Sequence, residues 1–182
     1  MPRRPPRKRV FVGAEGDSER AYIRMVSAIL EERRQDFHLD IVLLNGGDPK
    51  SMMQLAEKEI RRRDLGGKDA YVARFAFLDR DRLIQNAVRG QQAIALANRL
   101  GISVIWQVPC HEAMLLNHLP GCHLLQPQTT AIATQRVHKE WPEYVKPMTA
   151  MGLRTRLDRD AVLRVAAVHP QLNGFLHAIG FM

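Results

Sequence analysis

Residues 71–81 have the sequence YVARFAFLDRD, an apolar run that ends in an acidic cluster. The run has the length and composition of a strand buried in a parallel sheet. Residues 10–14, VFVGA, form a second run, and the acidic cluster EGDSE follows it at 15–19. Because the carboxyl ends of neighbouring parallel strands meet at the same edge of a sheet, we expect both clusters to share one crevice.

The rest of the chain alternates between apolar runs and segments with helical periodicity. Strands are predicted at 9–14, 39–44, 71–78 and 102–108, and helices from Asp17 or Ser18, from Pro49 to about Arg63, at 88–100 and from Pro109 to about Leu119. This alternation predicts an α/β fold of the Rossmann or Toprim type. Its mainly parallel sheet has about four strands, with helices on both faces.

The domain organisation follows from changes in composition. We expect a basic N-terminal arm at 1–8, an α/β domain at 9–121 and a C-terminal extension at 122–182 that packs on the same body. The arm either follows a phosphate backbone or is a solvated tail.

Within the extension, residues 122–150 are polar and are predicted to be irregular, with Trp141 and Tyr144 as buried anchors. A helix is expected at 156–168, with Leu157, Val165 and Val168 facing inward, and a last helix is expected after Pro170.

The charge balance limits the classes of partner. The formal net charge is +8 and the sequence pI is about 10.1, which favours an acidic partner. No segment is typical of a membrane helix or an amphipathic anchor, so we expect no membrane partner and favour DNA or RNA. The alternative is an arginine-rich composition without a specific partner. Two cysteines and no signal-peptide pattern predict a cytoplasmic protein.

The acidic clusters supply the candidate catalytic residues. Glu15 and Glu19 are one helical turn apart, and Asp79 and Asp81 follow the third strand. Crowded carboxylates repel one another unless a cation lies between them, and hard oxygen ligands suit Mg²⁺ or Mn²⁺. Glu15, Asp79 and Asp81 are therefore the predicted metal ligands. The alternative is a solvated turn whose acids pair with neighbouring arginines.

Further candidates lie near the predicted crevice. Glu112 follows the fourth strand and is a candidate catalytic carboxylate. Arg80, Arg82, Lys50 and His118 are candidate phosphate or nucleic-acid contacts. For His118 the alternative is a structural histidine, and for the glycine turn before Lys50 it is a well-capped helix.

Zinc is not predicted. The pairs Cys110-His111 and Cys122-His123 match no standard zinc spacing. The sequence after His111-Glu112 also lacks the second histidine of a zinc-protease helix.

Four motifs occur in a fixed order along residues 9–120. They are Glu15-Gly16-x-Ser18-Glu19-x-x-Tyr22, Gly46-Gly47-Asp48-Pro49, Asp79-Arg80-Asp81 and Pro109-Cys110-x-Glu112-x-x-Leu115-Leu116-x-His118. This order resembles the RloB-like proteins, a bacterial and archaeal group with a Toprim-type domain. The chain departs from the family pattern at Ser18, Arg74, His111 and Met114, and none of these changes removes a carboxylate.

The resemblance implies a function. In Toprim proteins a glutamate after the first strand and an Asp-x-Asp pair after a later strand serve the metal and phosphoryl transfer, which implies Glu15, Asp79 and Asp81 here. The RloB-like group adds Glu19 and Glu112. These proteins occur near restriction–modification and phage-defence genes, which implies protein partners from such a system.

The sequence therefore predicts a metal-dependent phosphoryl-transfer enzyme, a nuclease on DNA or RNA in a bacterial defence context. No tyrosine occupies a nucleophile position, which argues against a strand-passage topoisomerase. The alternatives are a non-catalytic nucleic-acid-binding subunit of a defence complex and a protein that binds a nucleotide or signalling ligand.

Overall fold

The computed structural model describes residues 7–33 and 36–182. Most of the predicted N-terminal arm, residues 1–6, lies outside this part. The strands form one parallel sheet in the order β2-β1-β3-β4. Their bounds are Lys8–Ala14 for β1, Phe37–Leu43 for β2, Tyr71–Asp79 for β3 and Ser103–Gln107 for β4. The predicted four-stranded parallel α/β fold is confirmed.

Helices connect the strands and follow the last of them. They are α1 (Asp17–Glu32), α2 (Pro49–Arg63), α3 (Asp81–Gln85), α4 (Ala87–Arg99), α5 (His111–His118), α6 (Thr130–Glu140), α7 (Ala150–Arg154), α8 (Arg159–Ala166) and α9 (Pro170–Ala178). A short 3₁₀ turn at Gly67–Asp69 precedes β3. In α2, the Asp48 side chain accepts a hydrogen bond from the backbone N–H of Ser51 and Pro49 is the first helical residue, as predicted.

The two faces of the sheet are covered by different helices. Successive residues of a strand point to opposite faces, and in β1 Val10 and Val12 pack into one core cluster while Phe11 packs into the other. The first cluster contains side chains from α1, α5 and the helices of the C-terminal extension. The second contains side chains from α2 and α4.

The C-terminal extension shares the first of these cores. Phe175 of α9 packs edge-on against Phe75 and Phe77 of β3, with ring centroids 5.1 and 5.2 Å apart. Trp141 and Tyr144 are buried in the same cluster, which confirms them as anchors. The extension therefore contributes directly to the hydrophobic core of the sheet.

Parts of the sequence prediction were wrong in this extension. Residues 122–150 contain helix α6 and the first residue of α7, whereas we expected irregular structure. Only Ala133 and Val137 of α6 are buried, so the helix has too narrow an apolar face to show clear periodicity. Val168 was expected to face inward but is 44% exposed, because α8 ends before it.

Helix starts near the acidic clusters also differ from the prediction. The N-cap of α1 is Gly16, and the Glu19 carboxylate accepts a hydrogen bond from its N–H at 2.9 Å, so neither Asp17 nor Ser18 caps the helix. Helix α5 begins at His111 and not at Pro109, because Cys110 is its extended N-cap residue.

Among the described residues, no helix is both long and apolar enough to cross a membrane.

Candidate functional site

Five carboxylates meet at the C-terminal edge of the sheet, and we call them the acidic cluster: Glu15, Glu19, Asp79, Asp81 and Glu112. Glu15 follows β1, Asp79 ends β3 and Asp81 begins α3. Glu19 and Glu112 lie in the first turns of α1 and α5. The negative charges of the other four members all raise the pKa of Asp79. The structure therefore brings together every carboxylate that the sequence proposed for the site.

A direct hydrogen bond joins the two acidic motifs. The Glu15 carboxylate, through Oε2, accepts from the backbone N–H of Asp79 at 2.8 Å. The backbone N–H of Glu15 in turn donates to the carbonyl of Phe77 at 3.1 Å. These contacts hold Glu15 against the end of β3, with its side chain buried.

Burial and mutual repulsion perturb this cluster. Burial raises the pKa of Glu15 to about 7; the N–H of Asp79 and the charge of Arg82 oppose the shift, and Glu19 and Asp81 add to it. Burial is also the main reason that the pKa of Asp79 is raised to about 8, with the neighbouring carboxylates next. Burial and repulsion thus favour the protonated form of these carboxyls, and a bound cation would favour the ionised form instead.

Gln107, at the end of β4, connects members of the cluster. The orientation of its amide that forms hydrogen bonds to all three neighbouring side chains has the nitrogen donating to Asp79 Oδ1 at 3.0 Å and to Glu19 Oε1 at 3.2 Å. Its oxygen then accepts from Nδ1 of His111 at 2.6 Å. Gln107 and His111 are both buried, so these hydrogen bonds fix the positions of the Asp79 and Glu19 carboxylates.

Glu112 receives its counter-charge from the C-terminal extension. Nζ of Lys146 lies 2.6 Å from Glu112 Oε1, and the hydroxyl of Tyr144 donates to the same oxygen at 3.4 Å. Burial alone would raise the pKa of Glu112, but the lysine holds it below its usual value. Oε2 of Glu112 is buried and has no hydrogen-bond partner among the described residues.

Asp81 also has one satisfied and one unsatisfied oxygen. Its Oδ2 accepts from the hydroxyl of Thr130, the first residue of α6, at 2.9 Å. Its Oδ1 is buried, and the described part of the chain offers it no hydrogen-bond donor. Buried carboxylate oxygens without partners are costly, so this edge has capacity for a further donor or a cation.

The predicted basic contacts divide into those at the cluster and those away from it. Arg82 is at the cluster, with Nε 3.6 Å from Glu15 Oε1. Arg80 is exposed beside it, and its backbone N–H donates to the carbonyl of Gln107 at 2.9 Å. Lys50 lies in the first turn of α2, whose buried side chains pack on the opposite face of the sheet from α1 and α5.

His118 does not lie in the crevice, and its prediction as a phosphate contact was wrong. It is fully buried. Its Nδ1 donates to the carbonyl of Met114 at 2.8 Å, and its Nε2 accepts from the hydroxyl of Tyr22 at 2.9 Å. Burial lowers the pKa of His118 to about 4, so the ring is neutral and structural at pH 7.

Among the described residues, no three His, Cys, Asp or Glu side chains are arranged as a group that could hold a metal ion. The carboxylates instead accept hydrogen bonds from protein donors, as Glu15 does from the N–H of Asp79 and Glu19 does from the N–H of Gly16. The donor set nevertheless suits a hard divalent cation, because it consists of carboxylate oxygens and includes the unpartnered Oδ1 of Asp81.

Sequence reasoning missed several residues that contact the cluster. Gln107 ends β4 as Asp79 ends β3, so its position in the sequence could have predicted that it lies at the same edge of the sheet as the acidic cluster. Thr130, Tyr144 and Lys146 come from the extension, and only the tertiary structure shows which carboxylates they contact.

Comparisons of this chain with protein-family models, with curated proteins and with solved structures found no match. The resemblance to RloB-like proteins therefore stays a prediction.

Proposed function

We propose that this chain is a metal-dependent phosphoryl-transfer enzyme, a nuclease of the RloB-like, Toprim type that acts on DNA or RNA in bacterial defence. The observation that carries the proposal is the convergence of Glu15, Asp79 and Asp81 from separate segments onto one edge of the sheet. Open parallel sheets bind ligands at the carboxyl ends of their strands, and carboxylates there can hold the divalent ion that phosphoryl transfer uses.

Glu15, Asp79 and Asp81 would hold Mg²⁺ or Mn²⁺. The fit is supported by the unpartnered oxygen of Asp81 and by the repulsion among the buried acids. When bound, such an ion neutralises charge on a phosphate oxygen and lowers the pKa of a water molecule.

The surrounding side chains have separate roles in this proposal. Arg82 supplies a positive charge beside Glu15 that would bind a phosphate oxygen. Glu15 is either a ligand or the base that accepts a proton from water. Gln107 holds Asp79 and Glu19 in position, while Lys146 neutralises Glu112 so that the cluster carries one charge less.

The nucleic-acid substrate is supported by charge. The chain as a whole has a formal net charge of +8 although its site is acidic. A basic surface attracts the phosphate backbone over a distance, and the local acids then select a cation at the point of reaction. The same charge predicts binding that weakens as the salt concentration rises.

Cleavage of plasmid DNA and of DNA and RNA oligonucleotides tests the proposal, with Mg²⁺, Mn²⁺ or EDTA. We expect metal-dependent cleavage by the wild type and none by Asp79→Asn, which keeps the side-chain shape but removes the charge. Asp160→Asn is the matched control, since Asp160 is an exposed aspartate in the first turn of α8.

Two results would contradict this proposal. Equal cleavage by the wild type and Asp79→Asn would show that the cluster is not the catalytic site. Salt-sensitive binding without cleavage of any substrate, unchanged in Asp79→Asn, would identify a nucleic-acid-binding subunit instead.

A further inference from the structure

A cavity of about 810 Å³ opens directly beside the acidic cluster. Its walls come from α3, the end of β4, the loop at 123–130 and the start of α9. Asp81 and Arg80 line this cavity, and Asp81 also belongs to the cluster. A molecule in the cavity would therefore lie next to the proposed reaction site.

The walls combine Trp106, which is partly buried against the second core cluster, with exposed apolar side chains. Trp106 lies at the end of β4, and Val108, Leu124 and Ile84 line the same space. All three aliphatic side chains are more than half exposed, and Leu124 is 68% exposed. Apolar side chains that gather around one cavity and remain in contact with water mark a binding site.

Hydrogen bonds hold these walls in place. The Asn117 amide nitrogen donates to the carbonyls of Cys122 and Leu125, at 3.0 and 2.8 Å, which fixes the loop at 123–130. His169 Nε2 donates to the carbonyl of Trp106 at 3.0 Å, which fixes the end of β4. The cavity is thus already formed without a ligand, as small-molecule sites usually are.

One wall atom has unused hydrogen-bonding capacity. His123 lines the cavity, and its Nδ1 is buried and unpaired within the described residues. A planar ring with polar atoms on its edge and apolar faces would satisfy both this nitrogen and the apolar walls. Arg80 at the same cavity is a donor for an attached phosphate.

We propose that this cavity binds the base of a nucleotide, stacked on Trp106, with its phosphate at Arg80. The choice of a nucleotide as the ligand depends on the proposed function. The base belongs either to a free nucleotide or to an unpaired nucleotide of a strand. Stacking on an aromatic side chain accepts any base, so the cavity would position a strand with little sequence preference.

Intrinsic fluorescence provides the test, because the chain has two tryptophans. Trp106 lines the cavity, whereas Trp141 is only 2% exposed in the core. The probes are AMP, UMP, a short single-stranded oligonucleotide and the same strand with abasic sites, all titrated in EDTA. We expect quenching by probes that carry a base, and Trp106→Phe should lose the quenching.

Leu124→Asp places a charge in the apolar wall and should weaken binding of these probes by about tenfold or more. Leu65→Asp is the matched control, since Leu65 is also a leucine, is 74% exposed and lies between α2 and the 3₁₀ turn. Val108→Asp, also at an exposed cavity position, decides the question if Leu124→Asp does not fold.

The choice of probes distinguishes between a free nucleotide and a nucleotide within a strand. Binding of AMP or UMP would show that the cavity takes a free nucleotide, and binding of the intact strand alone would show that it takes a nucleotide within a strand. Both results support the inference. Absence of quenching with every probe, equal quenching by the abasic strand, or unchanged affinity in the folded charge variants would overturn it.

The inference and the proposed function fail independently. Base-dependent quenching by a protein that cleaves no substrate would contradict the nuclease and leave the cavity assignment standing. Metal-dependent cleavage with unchanged KM in Leu124→Asp and Val108→Asp, and no quenching, would leave the nuclease standing and remove the base site.

Discussion

Glu15 and Asp79 are 64 residues apart in the chain, yet the Glu15 carboxylate accepts a hydrogen bond from the Asp79 N–H at 2.8 Å. This bond places the first acidic motif against the second at the ends of two adjacent strands. Because the bond uses the backbone of Asp79, substitution of the Asp79 side chain leaves it intact. The two carboxylates can therefore be varied separately.

Neutralising Asp79 should stabilise the metal-free protein and remove its response to metal. In EDTA at pH 7 we expect Asp79→Asn to raise the free energy of unfolding by on the order of 2 kcal/mol, because the unfolded wild type gains free energy by ionising a carboxyl whose pKa is raised to about 8 in the folded protein, and the variant does not. Mg²⁺ should raise the Tm of the wild type but not of the variant. Thermal unfolding with and without metal measures both effects, and a Mg²⁺-induced shift of equal size in both proteins would contradict the prediction.

The acidic cluster also predicts a pH dependence. The pKa of Glu15 rises from 4.5 to about 7 on folding, and that of Asp79 rises from 3.8 to about 8. The unfolded chain releases these protons at lower pH than the folded protein, so in EDTA their contribution to stability falls as pH rises from about 4 to about 8. Urea unfolding across this range should show a smaller fall for Asp79→Asn than for the wild type.

His118 predicts the opposite trend at acidic pH. Its pKa falls from 6.5 to about 4 on folding, so between these pH values the unfolded chain binds a proton at His118 and the folded protein does not. Stability from this residue is fully present above pH 6.5 and is lost as pH falls towards 4, by about 3 kcal/mol. The difference in unfolding free energy between the wild type and His118→Gln, measured from pH 7 to pH 4, gives the contribution of His118 to stability. A difference that does not change with pH would show that His118 is not buried as a neutral ring.

Removing Lys146 should leave the buried carboxylate of Glu112 without its counter-charge. We expect Lys146→Met to lower the free energy of unfolding by about 1 to 2 kcal/mol, less than for a fully buried pair because the Lys146 side chain is 54% exposed. The double variant with Glu112→Gln should recover most of the loss in urea unfolding. Lys139→Met, at an exposed position in the last turn of α6, is the control and should change little.

Truncation of Phe175 tests whether the extension and the sheet form one core. Phe175→Ala removes the ring that packs against Phe75 and Phe77, and we expect a loss of about 3 to 5 kcal/mol. In a Trp106→Phe background, fluorescence of Trp141, in the extension, and far-ultraviolet circular dichroism should report one coincident transition. Two separate transitions would show that the extension unfolds on its own.

The sheet was predictable because each strand contains a run of mainly apolar residues. Asp48-Pro49 is a strong local signal for the start of α2. The acidic cluster was predictable because parallel strands place their following residues at one edge. Helix α6 was not, since it buries only Ala133 and Val137 and carries no strong periodicity.

Other features depend on contacts that local sequence does not show. His118 was assigned to the crevice because the α5 pattern does not show what covers that side of the helix. In the structure, Arg164 of α8 donates to the carbonyl of His118 at 3.1 Å, and Tyr22 of α1 bonds its ring. Lys146 likewise acquires its role only when the extension folds against α5.

The packing at β4 has a consequence for association between molecules. β4 is an edge strand, and the unpaired backbone groups of such a strand invite pairing with another chain. Here the carbonyl of Trp106 already accepts a hydrogen bond from His169, next to α9. Addition of a foreign strand at this position would have to break that bond, so the end of β4 is protected against edge-to-edge aggregation.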